Sequence, residues 1–119
     1  MDEIEQAIKT ISETLLASPS TIVLIGPWWR YVVHEMTHPL IQALGKEVET
    51  FRWDIGKGTL RNGSRIFSLS SQSGSVYMLQ GLLIDQAWVH GSLSEDMRYH
   101  LLSRLLNREE EGRIIRTYG

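Results

Sequence analysis

The sequence places two histidines and a glutamate at the spacing of a helical zinc site. Residues 34–38 read His-Glu-Met-Thr-His. On a continuous helix, side chains four positions apart share a face, so His34 and His38 can bind one Zn²⁺ ion while Glu35 acts as a general base. One hypothesis is therefore a small zinc-dependent metallohydrolase that uses His34, Glu35 and His38.

The segment His34–His38 resembles the metal-binding motif of the zincin metalloproteases, but its context argues against a catalytic zinc. The extended motif continues with a glycine and a third histidine, and Ile41 and Leu44 occupy those positions here. Pro39 removes the helical hydrogen bond to the carbonyl of Glu35, so we expect the helix to kink or split there. A third ligand would have to come from residues at no distinctive spacing, namely Glu47, Glu49, Asp85 or His90. We therefore favour a chance arrangement on a partly exposed helix face.

A carboxylate after an apolar run is the second chemical feature. Residues 81–87 read Gly-Leu-Leu-Ile-Asp-Gln-Ala, which predicts a buried strand that ends at Asp85. Ligand sites of open α/β sheets lie at the carboxyl ends of strands, where an aspartate can hold Mg²⁺ beside a nucleotide. A glutamate would have to follow to activate water, and Gln86 cannot accept that proton at neutral pH. The alternative is a turn-forming aspartate after a strand; nearby, His90 could hold a ligand at the strand end.

The elements that must position these residues follow from apolar periodicity and from Gly and Pro. Apolar residues at helical spacing predict a helix over 3–17, and the β-branched run Thr21–Ile25 predicts a strand covered on both faces, as in a parallel sheet. Asn62-Gly63 supplies the positive φ values of a tight hairpin turn. The predicted order is helix 3–17, strand 21–25, helix 28–44, short strand 49–53, hairpin 59–69, buried strand 82–84, helix 94–107 and strand 113–116. It indicates an α/β fold with a mostly parallel sheet sandwiched by helices.

The order of these segments resembles the ATPase domain of the large subunits of viral and phage terminases, the DNA-packaging motors, and more loosely superfamily 2 helicases. The resemblance spans residues 15–119 and rests on the strand and proline turn 21–27, the Asn-Gly-Ser hairpin 62–66, the Ser/Gly loop 70–75 with Gly81, the strand 83–87 and the segment 101–117. It implies a partial P-loop NTPase-like fold with a β-hairpin insertion. Within that fold, Asp85 and Gln86 would form a degenerate Walker B site for Mg²⁺ and nucleotide.

The sequence departs from this family at the site that would hold ATP. A terminase binds the phosphates with a Gly-rich loop that ends in Gly-Lys-Ser/Thr, and this sequence contains none. We therefore expect no independent ATPase activity and no required cofactor, with Mg²⁺–ATP and Zn²⁺ as the weaker candidates. The resemblance implies a degenerate, non-hydrolysing domain that acts by binding nucleic acid or a protein partner, including a second copy of itself.

Aromatic and basic residues supply the candidate binding surface. Trp28, Trp29 and Arg30 begin a helix directly after a buried strand, where the rings either cover the sheet edge or stack on bases or a partner. Arg61 and Arg65 flank the hairpin turn, where they are either solvated charges or contacts for phosphate. These five residues form the candidate binding surface.

Composition limits the class of protein. The 119 residues fit one domain, 1–119, and a net charge of -2 disfavours a strongly electrostatic nucleic-acid binder without excluding a local basic patch. The lack of cysteine excludes disulfides, thiol catalysis and iron–sulfur clusters. An acidic first segment and the absence of a long apolar run predict neither signal peptide nor membrane span. We therefore expect a cytoplasmic protein, in the host cytoplasm if its origin is viral.

Overall fold

The computed structural model describes residues 2–71, 84–93 and 115–119, which build one mixed sheet with helices packed against it. The strands are β1 (Thr21–Gly26), β2 (Val48–Arg52), β3 (Lys57–Leu60), β4 (Arg65–Ser70), β5 (Gln86–His90) and β6 (Ile115–Tyr118). Their spatial order is β2-β3-β4-β1-β5-β6; β4, β1, β5 and β6 run parallel, and β3 runs antiparallel to both neighbours. The helical segments are α1 (Glu3–Ala17), α2 (Trp29–Tyr31), a π-helical turn (Val32–Thr37), α3 (His38–Leu44) and a 3-10 turn (Gly45–Glu47). The α/β class and the mostly parallel sheet are confirmed.

Helix α1 covers the predicted residues because both of its ends are encoded locally. Oδ1 of Asp2 accepts a hydrogen bond from the Glu5 amide at 2.8 Å, which satisfies one of the free donors of the first turn. The buried stripe of Ala7, Ile11 and Leu15 packs the helix on the sheet. The segment after Ala17 is extended, as expected for a residue that precedes a proline.

Strand β1 is the centre of the sheet, and all six of its residues are buried, as its sequence predicts. Ile22 and Leu24 face the core under the described helices, whereas Val23 and Ile25 face the opposite side. Strand β4 pairs on one side of β1 and β5 on the other, both in parallel register.

The segment predicted as one helix over 28–44 contains a π-helical turn between two α-helical segments. In the π-helical turn, the amide of His38 bonds to the carbonyl of Val33, five residues back. Pro39 follows directly, and in a regular α-helix its ring would clash with the Glu35 carbonyl and leave that carbonyl without its amide donor. The expected break at Pro39 is thus present as a wider turn followed by a new α-helix, α3.

The β3–β4 hairpin is confirmed, with a different turn from the one predicted. Of the two residues Asn62 and Gly63, only Gly63 has a positive φ, +94°, and its amide donates to the Leu60 carbonyl at 3.0 Å. The side chains of Asn62 and Ser64 both donate to the carbonyl of Leu15 at 2.8 Å. The Asn-Gly-Ser motif therefore ties the last turn of α1 to the hairpin, which is a structural role.

The helix α1, the π-helical turn and the helix α3 all pack on the same face of the sheet. The core on that face joins residues of α1, the π-helical turn and α3 to Ile22, Leu24, Ile66 and Trp88. The opposite face has its own buried cluster, which includes Val23, Phe67 and Val89. The helix expected over 94–107, which would complete the sandwich, falls outside the described residues, so helices on both faces and the P-loop-like fold stay predictions. None of the helices described is long and apolar enough to cross a membrane.

Candidate functional site

Asp85 lies at the opposite end of its strand from the one predicted. Strand β5 begins at Gln86, so Asp85 precedes it. Oδ2 of Asp85 accepts a hydrogen bond from the Thr21 amide at 2.7 Å, and the Asp85 amide donates to the Thr21 carbonyl at 2.9 Å. The carboxylate thus secures the start of β1, at the amino edge of the parallel strands. The prediction that Asp85 ends a strand is wrong, because Asp85 precedes β5, Ile84 before it lies in no strand, and β5 pairs with β1 from Gln86 to Val89.

Gln86, the second residue of the expected Walker B site, is also engaged structurally. Its Oε1 accepts a hydrogen bond from Nε1 of Trp88 at 3.1 Å. Ligands of open α/β sheets bind at the carboxyl edge. Asp85 and Gln86 are therefore on the wrong edge to hold Mg²⁺ or a nucleotide in the manner that the terminase resemblance implies.

The structure divides the candidate binding surface in two. Arg65 donates from Nε to Oγ1 of Thr21 at 3.2 Å, and Arg61 donates from Nε to the Lys46 carbonyl at 2.9 Å, both at the amino edge. Trp28, Trp29 and Arg30 follow the carboxyl end of β1. At about 3.3 Å per residue, a six-residue strand separates the two groups by about 20 Å. Arg61 and Arg65 therefore do not act with the tryptophans at one contact.

The segment His34–His38 presents its potential ligands to solvent. His34, Glu35 and His38 are exposed, whereas Met36 and Thr37 are fully buried. Oγ1 of Thr37 lies 2.7 Å from Oγ of Ser68 in the core, which fixes the face of the helix that meets the sheet. In the part of the chain that the structure describes, no three His, Asp or Glu side chains are grouped so that they could hold a metal ion.

The carboxyl edge carries three exposed tryptophans, which we call the aromatic surface: Trp28, Trp29 and Trp53. Their exposed fractions are 52%, 40% and 42%. The ring of Trp29 rests on Gly56, since a Cβ at that glycine would lie 2.8 Å from Cη2 of the ring. Trp53 belongs to the same β2–β3 turn, 4.4 Å from Phe51 between ring centroids. Trp29 and Trp53 thus flank one turn.

Positive charge accompanies the aromatic surface. Arg30 and Lys57 are exposed, and Nζ of Lys57 lies 5.9 Å from the centroid of the Phe67 ring. Arg52 is paired with Asp54 at 2.8 Å, and its hydrogen bond holds the pKa of that carboxyl below the ordinary value. Arg30 and Lys57 are therefore the cations in this region best placed to meet an anionic ligand.

A hydrogen-bonded network lies beside the aromatic surface and centres on His90, the last residue of β5. Nδ1 of His90 accepts from the Ser92 amide at 3.0 Å, and Oγ of Ser92 lies 2.6 Å from the same nitrogen. Because an amide only donates, we assign the proton of the neutral ring to Nε2, which lies 3.0 Å from the hydroxyl of Tyr31. Burial lowers the pKa of His90 and so favours the neutral ring.

Two tyrosines hold this histidine. The ring of Tyr31 lies edge-on to His90 at 4.7 Å and to Trp28 at 5.9 Å. The hydroxyl of Tyr118 donates to the Ile25 carbonyl at 2.9 Å. The centroid of its ring lies 5.5 Å from that of the His90 ring, in an edge-on arrangement. Burial raises the pKa of both phenols, and Glu35 raises that of Tyr31 further. The network connects β1, β5, β6 and the helix that follows β1.

The sequence indicated some members of this site and not others. His90 was expected near the end of a strand that stops at Asp85, whereas it is the last residue of β5, which begins after Asp85; the two tryptophans that the sequence left open between burial and exposure are exposed. Ser92, Tyr118 and Trp53 carried no motif. For Ser92, the available signal was its place two residues after a histidine, in a turn that contains Gly91.

Together, the mixed sheet and the polar and aromatic groups at its carboxyl edge define an α/β protein with a candidate ligand site at that edge. Comparison of the chain with family models, with curated proteins and with solved structures finds no match. The resemblance to terminases therefore stays a prediction.

Proposed function

We propose that this chain is a non-hydrolysing binding domain that takes single-stranded nucleic acid on the aromatic surface. The observation that carries the proposal is the exposure of Trp28 and Trp29 at the carboxyl edge of the sheet. Proteins that bind single strands stack the bases on exposed aromatic rings, and each stacked base is worth about 1–3 kcal/mol. Arg30 and Lys57 supply contacts for the phosphates.

The proposal keeps part of what the terminase resemblance implies. It retains a degenerate, phage-like DNA-packaging ancestry and a nucleic-acid ligand without ATP hydrolysis. It moves the ligand from Asp85 and Gln86, at the amino edge, to the tryptophans at the carboxyl edge. A protein partner or a second copy of the chain is the competing occupant, and the experiment below tests nucleic acid against both.

Stacking rather than charge should dominate the affinity. The chain has a net charge of -2, and Arg30 and Lys57 are the two cations assigned to the surface. Two phosphate contacts correspond to a slope of about −1.4 in a plot of log K against log salt for a single strand. Binding should therefore survive physiological salt far better than that of a strongly basic protein.

The experiment measures fluorescence anisotropy of a labelled oligothymidine and quenching of intrinsic tryptophan emission on the same samples. We expect Trp28→Ala and Trp29→Ala each to weaken binding roughly 5- to 150-fold, the equivalent of 1–3 kcal/mol. Arg30→Ala should weaken binding and reduce the salt slope, whereas Arg61→Ala, its matched control at the amino edge, should change neither. Binding that is unaffected by both tryptophan substitutions, or no quenching by any oligonucleotide, would overturn the proposal and favour a protein partner.

A further inference from the structure

Ser92, His90 and Tyr31 have the arrangement of an activated serine. Oγ of Ser92 is 2.6 Å from Nδ1 of His90, and Nε2 of the same ring is 3.0 Å from the hydroxyl of Tyr31. A nucleophile within hydrogen-bonding distance of a base, with the base oriented by a third group, is the geometry that activates serine hydroxyls. Nothing in the binding function proposed above requires it.

The direction of the hydrogen bonds supports this assignment. The Ser92 amide donates to Nδ1, so that nitrogen carries a lone pair and no proton. In this tautomer the Ser92 hydroxyl, 2.6 Å away, donates to Nδ1 as well, so the amide and the hydroxyl share the single lone pair of that nitrogen. The hydroxyl oxygen of Tyr31 accepts a hydrogen bond from the protonated Nε2, and this bond favours the assigned tautomer of the ring.

Access and protonation state are also suitable. Ser92 is exposed and His90 half-buried, at the carboxyl edge of the parallel strands. Two uncharged phenols, those of Tyr31 and Tyr118, pack against the ring. Burial lowers the pKa of His90 and so favours the uncharged ring, the form in which a histidine acts as a base.

We propose that Ser92 is a catalytic nucleophile that accepts an acyl group from an activated carboxylic ester, with His90 as its general base and Tyr31 as a positioning residue. Oγ attacks the carbonyl carbon while Nδ1 takes the hydroxyl proton. The tetrahedral intermediate then collapses, the bond to the alcohol oxygen breaks, and the imidazolium returns the proton to the leaving oxygen. A water molecule, deprotonated by Nδ1, attacks the acyl-serine; the bond to Oγ breaks, the imidazolium returns the proton to Oγ, and the carboxylic acid is released.

The backbone amides of the turn that contains Ser92 limit the rate acceleration that we expect for acyl transfer. Those of Gly91 and Leu93 already donate, to the carbonyl of Tyr118 at 2.8 Å and of His90 at 3.2 Å, so neither is free to stabilise an oxyanion. General-base catalysis alone contributes about 10²- to 10⁴-fold. The substrates should therefore be esters with good leaving groups, and amides should not react.

The test treats the purified chain with p-nitrophenyl acetate, follows p-nitrophenol release and locates the acetyl group by peptide mass spectrometry. We expect an initial burst and a label on Ser92, both lost in Ser92→Ala. Ser71→Ala is the matched control, because Ser71 lies at the same edge with its hydroxyl on the Pro27 carbonyl, and it should leave the burst unchanged. A label on lysine or elsewhere, with Ser92 unmodified, would overturn the proposal.

His90 is tested by substitution and by pH. His90→Gln should lower the acylation rate of Ser92 by at least 100-fold, the lower limit of the general-base effect. If that variant fails to fold, the wild-type pH profile decides: the acylation rate should reach a plateau above a single inflection below pH 6.5. Tyr31→Phe should move this inflection, which a purely structural role would not do. A rate that rises steadily with hydroxide without an inflection would show that no base assists Ser92 and would refute the mechanism.

Discussion

The hydroxyl of Tyr31 lies 3.0 Å from Nε2 of His90, although the two residues are 59 positions apart in the chain. This contact joins the helix that follows β1 to the end of β5. It brings a base, an exposed serine and the exposed ring of Trp28 to the edge of the sheet where α/β proteins bind ligands. The same contact therefore positions both Ser92 and the Trp28 part of the aromatic surface.

Stability should decrease in mild acid because of His90. Burial lowers the pKa of His90 below the 6.5 of an unfolded chain, so between these two values the unfolded state binds more protons than the folded state. The free energy of unfolding should be constant above about pH 6.5 and should fall as the pH drops toward the folded-state pKa. Urea titrations between pH 7.5 and 5 should show this fall in the wild type and a smaller one in His90→Gln. Equal pH dependence in both proteins would contradict the assignment of the effect to this histidine.

Asp85 should matter for stability and not for nucleotide binding. Asp85→Ala removes the acceptor of the Thr21 amide, and hydrogen bonds to charged groups contribute about 1.5–3 kcal/mol. Because Asp85 is exposed and water replaces part of this bond, we expect a loss of about 1–2 kcal/mol by urea denaturation. Asp85→Asn keeps an acceptor oxygen and should lose less. Binding of Mg²⁺–ATP by the wild type that disappears in Asp85→Asn would restore the Walker B interpretation.

Thr37 should act as a core residue of the segment His34–His38. Its hydroxyl is fully buried with that of Ser68, so Thr37→Val leaves the serine hydroxyl without this partner and should cost about 1–3 kcal/mol. Ser68→Ala should cost a similar amount. The double variant should lose clearly less than the sum of the two, because it removes both polar groups together. Additive losses in this double-mutant cycle would show that the two hydroxyls do not interact.

Zinc should contribute nothing to folding. His34 and His38 are exposed, and the described residues supply no third ligand beside them. A site occupied at a hundredfold excess over its Kd would add about 2.7 kcal/mol of stability and raise the melting temperature by several degrees. We expect chelator and added Zn²⁺ to leave the Tm of the wild type within error of each other. A stoichiometric, stabilising Zn²⁺ that is lost in His34→Ala would instead support the metallohydrolase.

Features that depend on neighbours along the chain were predictable. The bounds of α1 follow from the cap at Asp2 and the apolar stripe, the hairpin from Asn62-Gly63, and the break in the second helix from Pro39. The apolar, β-branched run over residues 21–25 predicted a strand covered on both faces, and all six residues of β1 are buried. Each of these signals is a local backbone or burial preference that holds whatever the rest of the fold does.

The candidate site required the tertiary structure. Whether Asp85 begins or ends a strand depends on which residues pair with β1, and the apolar pattern predicted a strand before Asp85, whereas β5 follows it. The sequence by itself determined the α/β class, the mostly parallel sheet and a strand over residues 21–25 that is covered on both faces. Only the tertiary structure decided that Arg61 and Arg65 lie far from the tryptophans and that Tyr31 and Ser92 meet His90. The physical reason is that strand register and helix packing bring distant residues together, and these are decided by the burial of the whole core rather than by any local segment.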